Sequence, residues 1–131
     1  MLPKKNRLSS KEDFRRVFVG GKSYSHRLLI LKVLMKGGES DARFAFSASS
    51  KLRKSVIRNR SKRLLREAVR LLGNRLRMSG YDAVLIARPP IRESNFSEVS
   101  LAVCEVFQKA GLLKLEEDRQ YLHKTNKCEE Y

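Results

Sequence analysis

Hydrophobic residues recur along the chain with two alternating spacings, one typical of helices and the other of strands. Near the N-terminus, Phe14, Val17 and Phe18 fall on one helical face behind a Ser-x-x-Glu capping-box pattern. This pattern predicts a first helix from about residue 10 to 19, and the two glycines that follow are expected to end it.

Three extended segments follow the first helix. A short one is expected at 22–25, and a longer strand at 27–35 is rich in leucine and β-branched residues. After the turn KGGESD, a strand at 43–49 alternates larger with smaller side chains, so Phe44 and Phe46 are expected to face the core. The other face of this strand is expected to stay open.

The longest periodic segment predicts a helix that Ser55 caps and that runs to about Leu76. Its apolar positions repeat at a spacing of about 3.6 residues and form one stripe, which marks the core side. The predicted stripe consists of Ile57, Leu64, Leu65, Ala68, Leu71 and Leu72.

The segment YDAVLIARPP indicates a central strand, because 83–87 is continuously apolar and two prolines end it. A last helix is then predicted from an asparagine cap to Gly111. The order αβββαβα predicts an α/β (α+β) two-layer sandwich, with a small mixed sheet of about four strands and three helices. We expect one domain at 1–113 and a charged tail at 114–131 that is either a helical extension or disordered.

The chain is strongly basic, with 29 Lys and Arg against 14 Asp and Glu among its 131 residues and a formal charge of +15. This charge favours a polyanionic partner, while the periodic apolar segments argue against a wholly disordered chain. No apolar run approaches the roughly 18 residues that a membrane helix needs, so no membrane contact is expected. Cys104 and Cys128 form no CxxC motif and suggest neither zinc nor a disulfide framework, which favours the cytoplasm. Cys104 is expected in the core.

The charge is concentrated in VIRNRSKRLLREAVR, 56–70, which holds six cationic residues and one acid, Glu67. Lys62, Arg66 and Arg70 repeat one sign at i, i+4 spacing, whereas an ordinary solvated face mixes signs. A phosphate backbone neutralises such a face, and arginine forks bind phosphate oxygens. The face expected opposite the apolar stripe comprises Asn59, Lys62, Arg63, Arg66 and Arg70, with Arg58 and Arg60 beside it.

Residues 49–70, SSKLRKSVIRNRSKRLLREAVR, resemble the signature of the bacterial ribonuclease P protein family, in which a helix begins around an RNR core and continues into a basic stretch similar to KRLLRE. The resemblance extends to NRL at 6–8, DFRRVF at 13–18 and YDAVLIARP at 81–89. It implies a left-handed βαβ crossover, although such crossovers are usually right-handed. The family shares this exception with a ribosomal-protein domain.

The resemblance also implies a division of labour. In the family, a catalytic RNA with its bound Mg²⁺ cleaves precursor tRNA, while the protein holds that RNA and the 5′ leader. The resemblance therefore implies no catalytic residue in the protein, Mg²⁺ bound mainly by the RNA subunit and none bound firmly by the protein, and no obligate protein partner. The residues that it assigns to binding of the catalytic RNA are Lys51, Lys54, Arg58, Asn59, Arg60, Lys62, Arg63, Arg66 and Arg70.

The 5′ leader is expected to bind at Phe14, Arg16, Phe18, Lys32 and Lys51. Phe14 and Phe18 lie at i and i+4, so their rings point the same way. Such a pair is usually part of a core, and the resemblance favours a partly exposed cleft wall instead. At such a wall, bases stack on the rings and neighbouring cations hold the phosphates.

Two alternatives stay open on the residues alone. A structural ribosomal RNA-binding protein shares the basic charge and the fold, and it stays with ribosomal particles after a salt wash. A nonspecific nucleic-acid binder binds duplex DNA about as well as leader-bearing RNA. Reconstitution with the catalytic RNA separates both from a ribonuclease P subunit, because neither alternative changes the cleavage rate.

Overall fold

Helices and strands follow one another in the order αβββαβα that the sequence predicts. The computed structural model describes residues 4–114, so residues 115–131 of the predicted tail lie outside the described part of the chain. The elements are α1 (Lys11–Gly20), β1 (Lys22–Ser25), β2 (Leu29–Met35), β3 (Arg43–Ala48), α2 (Ser55–Leu72), β4 (Tyr81–Ala87) and α3 (Phe96–Lys109). Short 3₁₀ turns occupy Lys4–Asn6, Gly73–Arg75 and Pro89–Glu93.

The strands form one mixed sheet in the order β1-β2-β4-β3. β2 runs antiparallel to both of its neighbours, and β3 runs parallel to β4 with Phe44 opposite Ala83. Because parallel neighbours need a crossover connection, the chain passes through α2 between β3 and β4. The predicted α+β architecture of a four-stranded mixed sheet with three helices is confirmed, while the hand of the crossover stays a prediction.

The main core lies between one face of the sheet and the helices α2 and α3. Alternate strand residues point into it, and Leu31, Leu85 and Phe44 are at most 2% exposed. Tyr81 and Phe107 pack beside Phe44, with ring centroids 5.8 and 6.4 Å from that of Phe44. Burial of each large apolar side chain contributes about 1.5–3 kcal/mol, so this face supplies most of the hydrophobic stabilisation.

Helix α1 covers part of the opposite face of the sheet. Val17 is completely buried there against Val84, and Leu8 from the N-terminal segment joins them. Gly21 turns the chain from α1 into β1: a Cβ at this position would lie 2.5 Å from the carbonyl oxygen of Val17 and 2.7 Å from that of Val33. Only glycine allows this approach, so Gly21 fixes how closely α1 lies on the sheet.

Helix α2 differs from its prediction at both ends. Ser55 is its first helical residue rather than its cap, and Lys54 occupies the cap position without a side-chain hydrogen bond. The helix ends at Leu72 instead of Leu76, because Gly73 adopts a positive φ of 53° that breaks the helical run. The change of direction lets the chain enter β4.

The buried stripe of α2 also differs from its prediction at Leu71 and Val69. Leu65, Ala68 and Leu72 are buried as predicted, but Leu71 is 53% exposed and Val69 is buried in its place. A helix advances by about 100° per residue, which places Val69 nearer than Leu71 to the centre of the stripe.

Helix α3 begins at a capping box. The Asn95 side chain accepts from the Glu98 N–H at 2.9 Å, and the Glu98 carboxylate accepts from the Asn95 N–H at 3.0 Å. Cys104 is buried on this helix, as predicted. Cys128 lies outside the described residues.

Candidate nucleic-acid interface

The outward face of α2 carries exposed cations along its length. Arg60, Arg63 and Arg66 are exposed, while Lys62 is half-buried at the side of the helix. The opposite side of the helix is anchored in the core, so these side chains are presented to solvent by a rigid element. The predicted separation between an apolar stripe and a cationic face is therefore confirmed.

The single acid of α2, Glu67, is already paired. Nε of Arg70 lies 3.1 Å from both carboxylate oxygens of Glu67, and Nη2 of Arg70 donates a further hydrogen bond. Hydrogen bonding to Arg70 lowers the pKa of Glu67, and hydrogen bonding to Glu67 raises the pKa of Arg70. Because both groups are exposed, the pair adds little stability. Its main effect is to cancel the charge of one arginine on this face.

Arg58 points back toward the loop that joins β3 to α2. Its Nη1 donates to the carbonyl oxygens of Leu52 at 2.8 Å and Arg53 at 2.7 Å, and its Nη2 donates to the serine hydroxyl at the start of α2. These bonds hold the loop against the first helical turn. Lys51 and Lys54 are exposed on the same loop, so Arg58 fixes the backbone that presents them.

Arg60 makes a similar internal contact at the other side of the helix. Its Nη2 donates to the carbonyl oxygen of Ser94 at 3.1 Å, in the turn before α3. Ser94 is buried, so this bond satisfies a carbonyl that water reaches poorly. Sequence reasoning assigned Arg58 and Arg60 to RNA contact alone, and the structure gives each of them an internal partner as well.

The aromatic pair of α1 lies against β2. The rings of Phe14 and Phe18 stack with centroids 4.9 Å apart and an interplanar angle of 26°. Lys32 places its Nζ 5.1 Å from the centroid of the Phe18 ring and donates a hydrogen bond of 2.9 Å to Ser23 Oγ. Phe18 is 39% exposed and Phe14 is half-buried. Three residues expected at the leader site therefore form one accessible cluster of two rings and a cation.

The other two expected leader residues, Arg16 and Lys51, lie on α1 and in the loop after β3. Arg16 is exposed on α1 and ion-pairs with Asp13 at 3.3 Å and Glu12 at 3.9 Å on its own helix. Lys51 lies in the loop after β3 rather than on α1 or the sheet.

An ion-pair network also fastens α1 to the sheet. The carboxylate of Asp82 on β4 is 2% exposed and accepts from Arg43 Nε at 3.0 Å and from Arg43 Nη2 at 2.8 Å. Lys36 Nζ lies 2.9 Å from the same carboxylate. Arg43 also donates from Nη1 to Asp13 of α1 at 3.0 Å, so one guanidinium joins β3, β4 and α1.

Burial and charge act in opposite directions on Asp82. Burial alone raises the pKa of its carboxyl group, but hydrogen bonds and charges from Arg43 and Lys36 outweigh it and hold the pKa below its usual value. Hydrogen bonding to Asp82 in turn raises the pKa of Arg43, against the opposing effect of burial. Sequence reasoning missed this network. Its one signal was an aspartate inside the apolar strand YDAVLIA.

Within residues 4–114, no group of three or more His, Cys, Asp and Glu side chains is arranged to hold a metal ion. No helix of the same range is long and apolar enough to cross a membrane.

Comparison with known proteins gives one consistent result. Residues 2–111 match the family model described as Ribonuclease P. The chain is 43% identical over 115 residues to the ribonuclease P protein component of Symbiobacterium thermophilum, which covers 88% of this chain and 99% of the relative. It is 40% identical over 115 residues to the ribonuclease P protein component of Clostridium acetobutylicum, with 87% and 96% covered.

Solved structures agree with these relatives. The RNase P protein of Staphylococcus aureus superposes with a TM-score of 0.73 at 25% identity, and the match covers 85% of this chain and 100% of that one. The RNase P protein of Thermotoga maritima shares the fold, with a TM-score of 0.69 and 79% of this chain covered. The chain belongs to the ribonuclease P protein family.

Proposed function

We propose that this chain is the protein subunit of ribonuclease P and that it assists a catalytic RNA in removing the 5′ leader from precursor tRNA. The observation that carries the proposal is the outward face of α2. Its cations stand on a helix anchored in the core, and its single acid is already paired with Arg70. Such a surface binds a nucleic-acid backbone favourably, because its cations displace the counterions condensed on the phosphates.

The catalytic RNA binds along α2 and the loop before it. Arg63 and Arg66 are exposed and reach phosphates directly, and Lys51 and Lys54 extend the contact beyond the start of the helix. Arg58 supports this surface by holding the lysine-bearing loop in place. The loop before α2 therefore carries the contacting lysines, and Arg58 in the first turn of α2 holds that loop in place.

The 5′ leader binds at the cluster of Phe14, Phe18 and Lys32. A single strand suits this cluster, because unstacked bases gain about 1–3 kcal/mol each on an aromatic ring without a requirement for sequence. Lys32 stands beside the Phe18 ring and neutralises a neighbouring phosphate. This division leaves the cleavage chemistry to the RNA subunit, which we expect to bind Mg²⁺, and gives the protein the role of holding substrate and RNA together.

Competition binding tests the proposal. Labelled catalytic RNA is bound to the chain and then challenged with a ribosomal RNA fragment or duplex DNA of equal length and charge. We expect the catalytic RNA to be retained against both competitors, and the affinity for precursor tRNA in the assembled complex to exceed that for mature tRNA. Equal competition by duplex DNA contradicts the proposal, because it indicates binding through charge alone.

A paired set of variants connects that result to α2. The double variant Arg63→Ala, Arg66→Ala removes two exposed cations and is expected to weaken assembly while the fold is retained. The double variant Arg15→Ala, Arg92→Ala removes two exposed cations outside α2 and serves as the matched control. Equal losses in the two proteins indicate a response to net charge, and they contradict an interface on α2.

A further inference from the structure

A groove runs along the edge of the sheet between α2 and the N-terminal segment. The segment before α1 pairs with the edge strand β3, where the Leu8 N–H donates to the Phe44 carbonyl oxygen at 2.8 Å. This pairing closes one side of a cavity of about 660 Å³. Its lining includes Arg7, Leu8, Phe14, Phe46, Arg63 and Arg66.

The groove combines an apolar floor with a cationic rim. Phe46 on β3 is half-buried, and the guanidinium carbon of Arg66 lies 5.6 Å from the centroid of its ring. Arg63 and Arg7 also border the groove. Among the described residues that line the groove, the one acid is Glu67, and an arginine of the same helix engages it. The rim therefore keeps a net positive charge over an aromatic surface.

This combination selects among ligands by chemistry. An apolar peptide provides no anionic partner for Arg63 and Arg66, and an inorganic phosphate leaves the apolar floor uncovered. A nucleotide satisfies both, because its base is planar and apolar on its faces while its phosphate is anionic. Arginine also stacks on bases and aromatic rings, so Arg66 and Phe46 together form a suitable platform.

We propose that the groove receives one unpaired nucleotide of the catalytic RNA, with the base against Phe46 and Arg66 and the phosphate at the arginine rim. This inference rests on the proposed function and adds a base-binding pocket to a surface that otherwise contacts phosphates. The groove differs from the leader cluster, since Phe18 and Lys32 do not line it, although Phe14 borders both. The free groove is expected to bind a mononucleotide.

The first test compares a nucleotide with its fragments. The full chain is titrated with adenosine 5′-monophosphate, adenosine and ribose 5-phosphate, and backbone amide shifts of Leu8, Ser9 and Phe46 report on the groove. We expect the nucleotide to bind more tightly than either fragment. Phe46→Leu is expected to weaken nucleotide binding by at least about fivefold, the lower end of a base–aromatic stacking contribution. Binding of ribose 5-phosphate is expected to change little.

A second variant and a control keep this test independent of folding. Arg66→Gln changes an exposed side chain and is expected to weaken nucleotide binding with the fold intact by circular dichroism. Arg92→Gln changes a residue outside the groove and is expected to leave nucleotide binding unchanged. The inference is overturned if the nucleotide binds no better than ribose 5-phosphate, or if Phe46→Leu and Arg66→Gln both bind it as well as the wild type.

The complex with the catalytic RNA tests the source of the nucleotide. We expect the assembled complex, without any tRNA, to bind adenosine 5′-monophosphate at least tenfold more weakly than the free chain, because the RNA already fills the groove. Unchanged binding in the complex overturns the inference while the proposed function stands. If the chain forms no complex with the catalytic RNA at all, the proposed function fails, and the RNA is excluded as the source.

Discussion

Replacing Arg43 with methionine removes the centre of the network that joins α1 to the sheet. The variant loses two hydrogen bonds to Asp82 and one to Asp13. The Asp82 carboxylate is 2% exposed and keeps Lys36 as its partner within the described network. Removal of one partner from a buried ion pair costs about 3–5 kcal/mol, and because Lys36 stays, we expect a loss of about 3 kcal/mol in the free energy of unfolding at pH 7.

The same loss is expected to depend on pH with a defined sign. In the wild type the folded pKa of Asp82 is lowered, so its stabilising contribution is complete above the unfolded pKa of about 3.9 and disappears as the pH falls through the folded pKa. Without Arg43, burial is opposed by Lys36 alone, and the pKa of Asp82 rises. The difference between wild type and Arg43→Met is therefore largest near pH 7 and shrinks toward pH 3.

Urea-induced unfolding at pH 7 and near pH 3, followed by circular dichroism, measures both effects. With a slope of about 1–3 kcal/mol per molar urea, the expected loss shifts the midpoint by roughly 1–3 M at pH 7. Arg15→Met, which removes an exposed arginine of α1, is the matched control and is expected to change stability little. A loss below about 1 kcal/mol at pH 7, or one of equal size at both pH values, refutes this reasoning.

Four further outcomes follow from the interface and the core. Phe18→Leu is expected to lower the preference for precursor over mature tRNA by about fivefold or more, measured by filter binding. An unchanged preference indicates that the Phe18 ring does not bind the leader. Arg63→Ala is expected to reduce the slope of log affinity against log salt for the catalytic RNA by about one, and an unchanged slope removes it from the phosphate contacts. Arg58→Ala is expected to weaken the same binding mainly by releasing the loop before α2, and increased amide exchange in that loop checks this cause. Leu65→Ala is expected to cost about 2–5 kcal/mol and Leu71→Ala less than about 0.5 kcal/mol in chemical unfolding, and equal costs contradict the assigned stripe.

Much of the fold follows from local periodicity. Alternation in β3 placed Phe44 in the core, and helical spacing separated the buried from the cationic side of α2, because both signals lie within one element. The exposure of Leu71 was mispredicted, because its burial was inferred from its hydrophobicity and not from its angular position around the helix axis. The helix end at Gly73 depended on a backbone φ that composition does not specify.

Features that join distant segments were not predictable in the same way. Asp13, Lys36, Arg43 and Asp82 lie on separate parts of the chain, and only the tertiary fold brings their charges together. The same holds for the contact from Arg60 to the turn before α3. Spacing identified which residues share a helix face, while the direction of a long arginine side chain depends on neighbours that other elements supply.

The rate of leader removal by the catalytic RNA tests the central claim most directly. Precursor tRNA is incubated with the catalytic RNA at limiting Mg²⁺, with and without the full chain, and the released 5′ leader is quantified over time. We predict that the chain accelerates leader release and that the Arg63→Ala, Arg66→Ala double variant does so less at equal protein concentration. A release rate that the wild-type chain leaves unchanged, under conditions where the chain is folded and in excess, contradicts the assignment as a ribonuclease P subunit.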